Sequence, residues 1–148
     1  MLRKAICMSV ADNKAAILRV SQEAFSDGHV QVIDEICADE YEFDYPSPEN
    51  GEGGVVVGHE SYKQYVLAFR AAFRDPHVTM IDVIGEGDCV AARIFFSGFH
   101  DGPFAGFRPI KKHVTVTGML FARFVEGRIR KTWCGFTNIT EVLAAAPG

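Results

Sequence analysis

Ile17, Val20, Ala24 and Phe25 recur at helical spacing, with Asp12 or Asn13 available as an N-cap and Gly28 as a stop, so the pattern predicts a first helix over residues 12–27. A shorter helical run through Val30, Ile33, Ile36 and Cys37 ends at Asp39 and Glu40. Tyr41, Phe43 and Tyr45 then alternate with Glu42 and Asp44, the period of a strand, and Pro46 and Pro48 cut that strand off. Residues 47–58 carry four glycines and predict a surface loop of the kind that edges a pocket. A third helix is expected over 59–73, with Tyr62, Tyr65, Val66, Phe69 and Phe73 on one face.

Beyond Pro76 the period shortens. Residues 78–84, 90–99, 113–125 and 129–136 are rich in β-branched and aromatic side chains and predict strands, with tight turns at 85–88 and 126–128 and a helical tail over 139–146. Helix, helix, strand, helix and then antiparallel strands is an α+β order in which helices cover one face of a curved sheet. Such a sheet closes into a cone, and the mouth of the cone is where a ligand enters.

A chain of 148 residues, 48% hydrophobic and 23% charged, is one domain's worth of globular protein, expected to span 1–148 with an ordered core over 12–146. The net charge of -4 argues against nucleic acid as a partner. Cys7, Cys37, Cys89 and Cys134 stand alone, without the spacing of a disulfide frame or zinc site, and the first residues turn polar too soon for a secretory signal or membrane span. A cytoplasmic protein without membrane attachment is expected. His29, His59, His77 and His113 are scattered, so no metal is expected; Gly51, Gly53, Gly54 and Gly58 lack the Lys-Ser or Lys-Thr that closes a phosphate loop, so no nucleotide is. The many apolar strand residues leave one sheet face to hide, which predicts a homodimer through that face.

The segment His100, Gly102, Phe104, Gly106 and Pro109, then Val114 to Met119, Arg123, Glu126 to Ile129 and Trp133, resembles the second half of the SnoaL-like polyketide cyclases and the ester-cyclase-like proteins around them. Asp27-Gly28, Gly58, Phe69 to Phe73 and Glu86 to Asp88 agree, so the resemblance covers roughly residues 14–143. It implies a cone-shaped nuclear transport factor 2-like (cystatin-like) α+β fold, with N-terminal helices packed on a strongly curved, mainly antiparallel sheet. It also implies a pocket for a small apolar carbonyl compound, and cofactor-free aldol-type ring closure or isomerisation by acid and base. The family's acid follows the position of Trp133; here Cys134, Gly135, Phe136, Thr137 and Asn138 offer no carboxylate, which raises the alternative of a non-catalytic binder on the same fold.

Without that acid, His100 becomes the candidate base, on a loop past a strand and near the mouth. Asp44 is a second catalytic candidate beside Tyr45 at the end of the first strand; because the two point to opposite faces, one of them at most faces inward. A hairpin turning at Glu126 and Gly127 is expected to put Leu120 and Trp133 on one face, so these two join Tyr45, Phe104 and Asn138 as the expected pocket wall. Asp82 is expected to pair with Arg93 across the 85–88 turn rather than to act on a substrate.

Overall fold

The computed structural model describes residues 9–46, 53–104 and 106–144. Helix α1 (Val10–Arg19) starts earlier than the apolar pattern indicates, because Ser9 is the cap. Its Oγ accepts the Asp12 N–H at 3.1 Å, while the Asp12 carboxylate accepts the Ser9 N–H at 3.2 Å. The helix runs on into a wider π-helical stretch, Val20–Ser26, and stops at Gly28, whose φ of +82° is the left-handed conformation glycine adopts freely. Helix α2 (Val32–Ile36) leads into β1 (Cys37–Pro46), β2 (Gly53–Val57) and α3 (His59–Ala72). The remainder is β3 (Phe73–Glu86), β4 (Cys89–His100), β5 (His113–Val125), β6 (Arg128–Phe136) and a short α4 (Ile139–Leu143).

The six strands lie in the order β2-β1-β6-β5-β4-β3. Every neighbouring pair is antiparallel except β1 and β6, which run parallel, so the sheet is mixed. Helices pack on one face of it, which is the α+β architecture the element order predicts. Two elements differ from the sequence pattern. Residues 53–57, expected as loop, form β2, because Val55 to Val57 pair as a β-branched edge along Asp44 to Glu42; the rest of that expected loop, 47–52, lies outside the described residues. Strand β3 begins at Phe73 and passes through Pro76, made possible by a register shift between Arg74 and His77 that carries Asp75 at φ 51°.

Alternation decides what faces the helices. Along β4 the even positions from Val90 to His100 are buried, and along β5 those from Val114 to Phe124. These meet α3 through Tyr62, Val66 and Phe69, and α1 through Ile17, in one apolar core. Burying side chains of this size is worth about 1.5–3 kcal/mol each.

The β5–β6 hairpin corrects one expectation. Its turn has positive φ at Glu126 (50°) and Gly127 (79°), as a tight two-residue connection requires, and pairs Val125 with Arg128 and Phe124 with Ile129. Then Arg123 pairs with Lys131, leaving Arg130 as an extra residue. A slip of one residue reverses every side chain beyond it. Leu120 therefore stands opposite Cys134 on the inner face, and Trp133 stands opposite Phe121 on the outer face; Leu120 and Trp133 do not share a wall.

Candidate functional site

Between the helices and the inner face of the sheet lies a cavity of about 60 Å³. Ile17, Val20 and Phe25 close it from the first helix and its π-helical continuation, Tyr62, Tyr65 and Phe69 from α3, and Tyr41, Ile94, Phe96, Leu120, Thr132, Cys134 and Phe136 from the sheet. The space is well below the ~150 Å³ of an apolar cavity that takes up benzene, so a ring-sized guest has to push the aromatic wall aside. That wall is a run of rings in contact: Tyr41 and Tyr62 at 4.8 Å between centroids, Phe43 and Tyr65 at 5.0 Å, Tyr45 and Tyr65 at 5.1 Å.

The lining residues that carry a polar side-chain atom are Tyr41, Tyr62, Tyr65, Thr132 and Cys134. Among the described residues no carboxylate and no imidazole lines it. Burial pushes the Tyr41 phenol far above its usual range, with Cys37 adding to the effect while hydrogen bonds from Thr132 and Tyr62 oppose it. Burial likewise raises Tyr62 and Tyr65 well above an ordinary phenol, and it alone pushes the Cys134 thiol up to about 12. At neutral pH all of these groups are uncharged. A phenol in that state donates one hydrogen bond to a carbonyl or enolate oxygen, and here it does so from apolar, largely buried surroundings.

Of the residues expected at the site, the structure brings Leu120 to the cavity, sets Tyr45 against the aromatic wall behind it, and leaves the others elsewhere. His100 is not on a loop at a mouth. It is the last residue of β4, fully buried because it continues the inward series of Val90 to Gly98. Its ring stacks on Phe73 at 5.1 Å, and Phe73 in turn meets Phe96, which is the ring that reaches the cavity. The Ile110 N–H donates to His100 Nδ1 at 3.4 Å, which places the ring proton on Nε2, and Nε2 has no partner among the described residues. Burial lowers the pKa of His100, the Gly102 backbone works against this, and the Lys111 ammonium reinforces it.

Asp44 faces outward beside Trp133, its register partner on β6. Tyr45 points inward, as the opposite parity demands, and extends the aromatic run by stacking on Phe43 at 5.7 Å. Phe104 packs edge-on to Phe73 at 5.2 Å and belongs to the layer around His100. Asn138 ties down β5, its Oδ1 accepting the Thr117 N–H at 2.8 Å. Asp82 bonds to Arg93 at 2.9 Å, as cross-strand pairing anticipates. Tyr41, Tyr62, Thr132 and Cys134 were not singled out by the sequence; the signal for the first two was their place on the apolar strand face and the apolar helix face that predict a core.

Helices laid on one face of a six-stranded sheet, with an apolar cavity between the two layers, form the nuclear transport factor 2-like, cystatin-like α+β fold. The sequence profile described as SnoaL-like polyketide cyclase matches residues 15–140, and the chain belongs to that family. A SnoaL-like protein from Jannaschia sp. CCS1 superposes with a TM-score of 0.80 at 22% identity, over 99% of both chains. TsrD from Streptomyces laurentii gives 0.78 at 21% identity, over 93% of this chain and 98% of that one. A nuclear transport factor 2-like protein of unknown function from Burkholderia pseudomallei K96243 gives 0.72 at 17%, over 93% and 100%. At such identities the likeness carries the fold. No curated protein matches. Among the described residues no helix is long and apolar enough to cross a membrane, and no cluster of three or more metal-ligating side chains occurs.

Proposed function

We propose that this member of the SnoaL-like family binds a small apolar carbonyl compound in its cone cavity, with the Tyr41 phenol donating to the carbonyl oxygen and Tyr62 supporting it. The observation that carries the reading is the lining itself: apolar and aromatic walls around neutral hydroxyl donors. An apolar pocket with a few convergent polar groups is the usual form of a small-molecule site. Ring closure by aldol addition also needs a base to take a proton from carbon. A thiol pushed up to about 12 and phenols raised by burial are poor bases at neutral pH, which favours binding over acid–base turnover.

Membership of a family described as polyketide cyclases supports a second reading. In it the same phenols stabilise an enolate during cofactor-free ring closure or isomerisation, and water or the substrate itself accepts the proton. The two readings share a binding step, which is tested by titrating the protein with cyclohexanone and with its isostere methylenecyclohexane while following amide NMR shifts of the cavity residues. The expected result is a preference of about threefold to tenfold for the ketone, the value of one net hydrogen bond. Equal affinity for the two, or shifts that avoid the cavity, would refute the reading.

A further inference from the structure

Three hydrogen bonds fasten the chain that returns from β4 to β5, and all three end on His100. The His100 N–H donates to the Lys112 carbonyl at 2.9 Å, the His100 carbonyl accepts the Lys111 N–H at 3.0 Å, and Nδ1 accepts the Ile110 N–H at 3.4 Å. The outgoing chain is held separately, by the Asp101 and Gly102 N–H groups on the Ala72 carbonyl at 2.9 and 3.1 Å. Phe104 and Phe107 join the two limbs, each N–H donating to the other's carbonyl, at 3.1 and 2.8 Å. Phe104 also packs on Phe69 at 6.0 Å, and Phe69 is part of the cavity wall. Contacts therefore run unbroken from the His100 ring to the side of the cavity that α3 supplies.

This fastening suits a neutral ring. With its proton on Nε2 the imidazole accepts at Nδ1; a second proton makes Nδ1 a donor facing the Ile110 N–H, another donor, and that bond is lost. The ring is fully buried, and Nε2 has no partner among the described residues to share a charge. Burial opposes a charge on it first of all, the Gly102 backbone favours one, and the Lys111 ammonium opposes it again. Asp101, the acid beside it, is bonded to Lys111 at 2.6 Å and lies within the influence of Arg74. Arg108, Lys112 and His113 are exposed, and Phe69 and Ala72 of α3 and Phe73 of β3 bring no charge.

We propose that His100 is a proton-operated clasp: protonation releases residues 107–112 and, through Phe104, loosens the Phe69 side of the cavity, so that a ring-sized guest enters more readily in mild acid. The clasp stands on its own geometry, whereas its effect on a guest rests on the binding proposed above. Because the closed form shuts the ring from solvent, the proton is taken up in the open form, where the imidazole titrates near its ordinary value of about 6.5. The closed form is therefore fully favoured above that value and loses ground as pH falls, opening about tenfold more often one unit below it.

Amide hydrogen exchange, followed by NMR at pH 7.5 and 5.5 and divided by the exchange rate of the unstructured chain at each pH, tests the clasp. The Ile110 and Lys111 amides are expected to open about tenfold more often at the lower pH, at a rate insensitive to urea below the unfolding transition, the mark of a local opening. His100→Asn sets an oxygen where Nδ1 stands and cannot titrate, so the pH effect should vanish there; His100→Gln, equally unable to titrate, serves if the first variant does not fold. Opening that does not change with pH, that rises with urea as steeply as at the β5 amides, or that keeps its pH dependence in these variants would overturn the clasp. Cyclohexanone affinity of the wild type should rise at pH 5.5 by up to the same factor, and stay level in His100→Asn. A level wild-type affinity while the amides open would overturn the link to the cavity. Absence of cyclohexanone binding at both pH values would refute the binding reading instead, and the exchange result alone would then decide the clasp.

Discussion

Tyr41 from β1 and Tyr62 from α3 meet at 4.8 Å between ring centroids, joining sheet and helix at the cavity. Removing either hydroxyl tests its part in binding. Tyr62→Phe or Tyr41→Phe should cost about 0.5–1.5 kcal/mol of affinity for cyclohexanone and leave methylenecyclohexane unchanged. Isothermal titration of both compounds against both variants checks this, and an equal loss for the two compounds would assign the phenols a packing role only.

The same burial that keeps these phenols neutral should be visible in a spectroscopic titration. Three of the four tyrosines in the chain, Tyr41, Tyr62 and Tyr65, have their ionisation pushed well above the ordinary range. These three are expected to stay protonated, without tyrosinate absorbance, until alkali unfolds the protein. Full reversible titration of Tyr41, Tyr62 and Tyr65 in the folded state would contradict their burial at the cavity.

His100 predicts a pH dependence of stability. Its folded-state pKa lies below the ordinary imidazole value of 6.5, so the unfolded chain binds the proton more readily than the folded one. Stability is therefore complete above about 6.5 and declines as pH falls through that value, levelling off below the folded pKa. Urea midpoints between neutral and mildly acid pH should fall for the wild type and fall less for His100→Gln. An equal slope in both would place the titrating group elsewhere.

Much of this architecture could be read from the sequence because it rests on periodicity. The alternation of Tyr41, Phe43 and Tyr45 and the helical spacing of Tyr62, Tyr65, Val66 and Phe69 state directly which faces turn inward. What stayed hidden depends on single residues. The extra residue at Arg130 leaves no compositional mark, yet it exchanges the faces of Trp133 and Cys134 relative to an unbulged hairpin. The glycines at 53 and 54 read as loop, although Gly54 is needed where the Tyr45 ring lies against β2, within 2.5 Å of where a Cβ would stand. The even-numbered series from Val90 did extend to His100, but a histidine followed by Asp101, Gly102 and Pro103 reads as the start of a turn. The cavity donors escaped because a tyrosine on an apolar face is ordinarily core.

The corrected hairpin separates two truncations that an unbulged register would treat alike. Leu120→Ala opens space at the cavity and should lower the chain's stability by about 2–5 kcal/mol. Trp133→Ala removes a ring that is 38% exposed on the outer face, and should cost clearly less stability than Leu120→Ala. Urea denaturation distinguishes them; a Trp133→Ala variant that loses as much chain stability as Leu120→Ala would put the tryptophan back in the core.

The vibrational frequency of the carbonyl group in bound cyclohexanone, isolated by isotope-edited infrared difference spectroscopy, tests the central claim most directly. Phenol donors in a site free of competing water should lower that frequency below its value in hydrocarbon solvent, and Tyr62→Phe should return it part of the way. A bound carbonyl that absorbs as it does in hydrocarbon, unmoved by loss of the Tyr41 or Tyr62 hydroxyl, would contradict the account.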